Sequence, residues 1–69
     1  MSRLAEFSDD EIARGLHGYA AEYGLRFVEY WDDGEWHAQM LGADGLVANA
    51  QGGNPREAHE ALAGLLGLG

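Results

Sequence analysis

A chain of 69 residues with a formal net charge of −8 has room for one small domain built from about two layers, expected to span residues 1–69, and none for a multi-domain enzyme. The absence of cysteine removes disulfides, thiolate metal sites and cysteine nucleophiles together. Twelve acids against four arginines and no lysine argue against direct binding of nucleic acid or anionic membrane, since both rest on clustered Lys and Arg.

The opening MSRLAEF has no apolar run of signal-peptide length, and no stretch approaches the roughly 18 apolar residues of a membrane span. A soluble, cytoplasmic protein is the expectation. The first strong local signal is F-S-D-D-E-I. Ser8 can cap the Glu11 amide while Glu11 reaches back to Ser8, and Phe7 can staple against Ile12. Ile12, Leu16, Tyr19, Ala20 and Tyr23 then recur at helical spacing, and Gly24 suits a left-handed cap. Gly15 and Gly18 inside this helix each cost about 1 kcal/mol relative to alanine, so they either admit a close neighbour or leave the helix weak.

Leu25 to Trp31 and Trp36 to Leu41 are rich in aromatic and branched residues and flank D-D-G-E, the pattern of a β-hairpin. A two-residue Asp33-Gly34 loop sets Trp31 opposite Trp36. It also places Leu25, Phe27, Trp31, Trp36, Ala38 and Met40 on one face, the core face, with Glu29 as the exception. Arg26, Val28, Tyr30, His37 and Gln39 take the other. A three-residue Ala43-Asp44-Gly45 loop, Gly45 left-handed, would keep Leu46, Ala48 and Ala50 on the core face. Asn54 as cap, Pro55 at the first helical position and Glu57 completing a box-like pair then open a second helix. Its apolar stripe is expected at Ala58, Ala61, Leu62, Leu65 and Leu66, with Gly67 and Leu68 forming a Schellman-type end. The fold class is therefore α+β: α-β-β-β-α, a three-stranded antiparallel sheet with two helices packed on one face.

Short connections make successive elements antiparallel, so the starts of both helices and the hairpin tip belong at one end of the fold. Asp9, Asp10, Glu11, Asp32, Asp33, Glu35 and Glu57 gather there, with Arg56 as local opposition. Each acid suits a helix start or a tight turn. Their sum repels itself, which points to a basic partner.

Other chemistry finds little support. Asp32 and Glu35 could act as acid and base only in a pocket that splits their pKa values, and a domain of this size offers little pocket. His17, His37 and His59 lie on separate elements without metal-ligand spacing, and His37 reads as an exposed polar residue. D-D-G-E lacks the remaining ligands of a calcium loop, and Q-G-G-N-P lacks the lysine of a phosphate loop. No catalytic residue, metal or cofactor is expected.

From Glu29 onward, EYWDDGEWHAQM followed by ANAQGGNPREAHEALAGLL resembles HicB-like antitoxins, in which an acidic-tipped hairpin leads through a Gly-containing turn into an E-A-containing helix. The proline-rich segment usual in that family is missing here. The resemblance implies a module that neutralises a small basic ribonuclease toxin. The order α-β-β-β-α is also that of double-stranded-RNA-binding domains, but the basic residues such domains carry around the second helix are absent apart from Arg56. Small size, lack of cysteine, acidity and the clustered pole together resemble the phage-encoded anti-CRISPR proteins of the type I, DNA-mimic kind. That resemblance implies an inhibitor of a CRISPR-Cas surveillance complex, working in the cytoplasm of a bacterial host.

The expected function is accordingly a non-enzymatic inhibitor that binds a basic nucleic-acid-binding protein, through Asp32, Asp33 and Glu35 first and Asp9, Asp10 and Glu11 second. The antitoxin module is the alternative. A third possibility is an oligomerisation domain using the outer sheet face of Val28, Tyr30, His37 and Leu41, although a monomer is the primary expectation.

Overall fold

The computed structural model describes residues 7–68. Ser8 opens helix α1 (Asp9–Tyr23) with the expected reciprocal cap. The Glu11 N–H donates to Ser8 Oγ at 3.2 Å, and the Ser8 N–H donates to Glu11 Oε1 at 3.1 Å. Gly24 closes the helix in the left-handed conformation at φ 67°. Strands β1 (Arg26–Asp32), β2 (Glu35–Gly42) and β3 (Gly45–Gly52) form an antiparallel sheet in the order β1-β2-β3, and helix α2 (Pro55–Leu65) follows. The fold is α+β, α-β-β-β-α, as the sequence pattern predicts.

Asp33 and Gly34, at φ 50° and 79°, form the two-residue turn whose twist matches that of the flanking strands. Trp31 lies opposite Trp36 and Asp32 opposite Glu35. The second turn differs from expectation: Gly42 pairs directly with Gly45, and the extra residue is absorbed in β3, where Leu41 faces Leu46 but Met40 faces Ala48. A bulge of this kind shifts a side chain without disturbing the register beyond it. Ala48 and Ala50 therefore keep their expected partners, Met40 and Ala38. Leu46 does not join the core and is 58% exposed.

The core lies between the helices and one sheet face. It consists of Ile12, Leu16 and Ala20 from α1, Ala38, Met40 and Ala50 from the sheet, and Ala58, Leu62 and Ala63 from α2. Tyr19, Leu25, Phe27, Trp36, Ala48 and Leu66 pack around it. Small residues let the layers approach closely, most tightly at Gly52, where an added Cβ would come within 2.5 Å of Glu57 Cβ and 2.7 Å of the Ala58 nitrogen. Asn54 caps α2 by accepting the Glu57 N–H at 2.9 Å. The Glu57 carboxylate in turn accepts the Gly53 N–H at 3.3 Å, one residue before the cap that a strict capping box would use. At the far end Leu68 N–H donates to the Ala63 carbonyl and Gly67 N–H to the Gly64 carbonyl, the paired bonds of a Schellman ending.

Three expectations about the core are corrected. Trp31 shares the face of Phe27 and Trp36 by strand alternation but is 60% exposed and stays outside the core cluster. Tyr23 is exposed at the last turn of α1. The buried stripe of α2 is Ala58, His59, Leu62 and Ala63, so Ala61 and Leu65 face outward and a histidine faces in.

Candidate functional site

The tip of the β1-β2 hairpin gathers three exposed acids within four residues. A β-turn built on Asp-Gly holds Asp33 in a left-handed conformation that few side chains tolerate, and the ladder fixes Asp32 directly across from Glu35. Asp32, Asp33 and Glu35 are all exposed, and among the described residues no side chain bonds to any of them. Trp36 anchors the base of the tip against the core, and Trp31 stands beside it in solvent.

The first turn of α1 divides its three acids between structure and surface. Asp10 is exposed and makes no side-chain bond among the described residues. Glu11 is exposed but committed to the cap, and the bonds from the Ser8 backbone and hydroxyl hold its carboxyl below the usual value of 4.5. Asp9 turns inward to His59. Arg56 donates to Glu60 at 2.6 Å and to the Phe7 carbonyl at 2.7 Å, so the local cation is engaged on its own helix and on the chain leading into α1.

His59 is the functional-looking residue that sequence reasoning missed. It is 4% exposed and links three elements: Nδ1 lies 2.7 Å from Asp9 Oδ1 on α1, and Nε2 lies 2.5 Å from Glu29 Oε2 on β1. Phe27, itself in edge contact with His17, covers the ring. Burial disfavours the imidazolium, but the bonds to Glu29 and then Asp9, together with their negative charge, outweigh it and raise the pKa above the ordinary 6.5. Glu29, the charged exception on the core face, thus has its explanation in a partner 30 residues away. An isolated acid on a buried face requires such a partner, and that was the available signal.

Both imidazole nitrogens are occupied by carboxylates, so the His59 ring itself presents no free nitrogen to a substrate proton or a metal. Among the described residues no group of three or more His, Cys, Asp and Glu could hold a metal ion. A shallow groove of about 390 Å³ runs between the helices, lined by Phe7, Ile12, Gly15, Ala63 and Leu68 with Glu11 and Arg14 at its rim. It shares no residue with the His59 cluster.

The outer sheet face carries a polar ladder. The Gln39 amide donates to Asn49 Oδ1 at 3.2 Å and to Tyr30 Oη at 3.4 Å, and His37 stacks on Tyr30 with centroids 4.8 Å apart and planes within 7°. His37 is half-buried by that stacking rather than fully exposed as expected, and its Nδ1 has no partner among the described residues. No helix among the described residues is long and apolar enough to cross a membrane. No protein-family model matches the chain, and neither a curated protein nor a solved structure is similar to it.

Proposed function

We propose that this protein is a non-enzymatic inhibitor whose acidic hairpin tip occupies a basic surface built for nucleic acid, in its concrete form an anti-CRISPR protein that blocks DNA binding by a type I surveillance complex. One observation carries the reading: Asp32 and Glu35 face each other directly across the ladder, with Asp33 between them in the turn. Like charges placed opposite each other destabilise a sheet, and no cation among the described residues offsets these. A surface that sacrifices stability in this way fits a site selected for binding. Fixed carboxylates at a rigid turn can replace phosphates in a Lys/Arg groove, and their field would speed association. Asp10 extends the surface, whereas Asp9 and Glu11 serve the fold.

The test measures affinity and stability on the same variant. In the Asp32→Asn, Glu35→Gln double variant, stability rises by about 0.2–1 kcal/mol as cross-strand repulsion is removed. Displacement of target DNA from a type I surveillance complex is lost in the same variant. A folded double variant that displaces DNA as well as the parent overturns the proposal. The antitoxin alternative uses the same surface against a small ribonuclease. Relief of toxin-dependent RNA cleavage, with no effect on any surveillance complex, would select it instead.

A further inference from the structure

Strand β1 is an edge of the sheet, and its outward backbone groups have no partner strand among the described residues. A two-residue loop makes Asp32 and Glu35 a hydrogen-bonded pair, so Tyr30, Val28 and Arg26 also direct their backbone groups toward β2. Phe27, Glu29 and Trp31 direct theirs away from the sheet, and none of the three makes a backbone hydrogen bond outside the ladder among the described residues. Natural edges are guarded by proline, bulges, short length or inward charges. The opposite edge, β3, carries the bulge beside Val47. Strand β1 has seven residues in unbroken register, with no proline. Its inward charge, Glu29, is held by His59.

We propose that two copies join antiparallel along β1, with the dyad at Glu29. This register uses the whole strand and lets the outward backbone groups of Phe27, Glu29 and Trp31 bond their counterparts. On the outer face it sets Arg26 opposite Asp32 of the second copy, twice, and Val28 opposite Tyr30, twice. On the helix-bearing face it sets the 60% exposed Trp31 against Phe27. The two Glu29 residues meet at the dyad, each drawn back to its own His59 at 2.5 Å. The alternative registers centred on Val28 or Tyr30 leave Asp32 without Arg26 and shorten the ladder.

Sedimentation equilibrium on the full chain tests this, combined with amide exchange and a charge swap. The parent chain doubles its mass as concentration rises, and the Phe27, Glu29 and Trp31 amides exchange more slowly in the same range. Arg26→Glu weakens association about tenfold or more, because two attractive cross-strand pairs become repulsive ones. Adding Asp32→Arg to that variant restores it. A mass that stays monomeric at millimolar concentration overturns the proposal, as does a double variant no tighter than Arg26→Glu. Protection of those three amides only when a foreign basic peptide is added, with the chain still monomeric, also overturns it. Asp32 belongs both to this seam and to the proposed DNA-mimicking tip, so the two compete for it, and Arg26→Glu, which leaves the tip intact, displaces DNA at least as well as the parent.

Discussion

His59 shows how a single side chain can bind three elements and set the pH response of the fold. Its pKa is raised in the native state, so the stabilisation it provides is fully present below the unfolded value, near 6.5, and is lost as pH rises through the higher folded value. Unfolding free energy should therefore fall as pH rises above about 6.5 and through the higher folded value. His59→Gln should lower stability at about pH 6 by 1–3 kcal/mol, since glutamine can serve only one of the two carboxylates and both keep partial contact with solvent. It should also flatten the slope above neutrality. Urea titrations at several pH values check both outcomes, and an unchanged slope in the variant would assign the response elsewhere. The sequence pattern misplaced this residue because a histidine beside Ala58 reads as the polar edge of an amphipathic stripe. Only its carboxylate partners, 50 and 30 residues distant, let it face inward.

At the level of elements, the caps and the first hairpin turn were legible, whereas the bulge of the second hairpin and part of the α2 stripe were not. Ser8, Gly24, Asn54, Pro55 and Gly67 act locally, so their roles follow from short-range hydrogen bonding and allowed dihedrals. The glycines within elements depend on neighbours that sequence does not name. An added Cβ meets nothing within 4 Å at Gly15 or Gly18, but collides with Glu57 and Ala58 at Gly52. Helix α1 is consequently weak by composition, and β3 is bound to the first turn of α2 by the absence of a side chain. Gly15→Ala and Gly18→Ala should each stabilise by about 0.5–1 kcal/mol. Gly52→Ala should destabilise by about 1–3 kcal/mol, because the colliding atoms belong to backbone and Cβ and cannot swing aside. Denaturation midpoints of the three variants measure the contrast, and a neutral Gly52→Ala would mean that the sheet and α2 can separate at little cost. The hairpin register was legible from D-G alone, whereas the exposure of Trp31 was not, because strand alternation fixes the face of a side chain and not what covers it.

For the whole molecule, a thin core confronts a large net charge. Among the described residues, five of the nine buried apolar residues are alanine, and each contributes less than the roughly 1.5–3 kcal/mol of a buried leucine or methionine. With a net charge of −8, long-range repulsion is a substantial opposing force in so small a fold. Added salt should therefore raise the melting temperature at neutral pH, with most of the gain complete by about 0.5 M as the screening length shrinks to a few ångströms. Melting curves across a sodium chloride series check this, and a melting temperature that falls with salt would show that specific ion pairs outweigh the repulsion. The charge imbalance was readable from composition, and the exposure of the hairpin acids from their place in a tight turn. Glu11's commitment to the cap was legible in the sequence, whereas the turning of Asp9 to His59 required side-chain geometry. The His59 cluster has one more consequence, in time rather than in space. Its two bonds close loops of 50 and 30 residues, and such distant closures come late in folding, after local hairpins and helix turns have formed. The first turn of α1 is then expected to be fastened late, after the acidic tip has formed, together with the similarly distant bond from Arg56 to the Phe7 carbonyl.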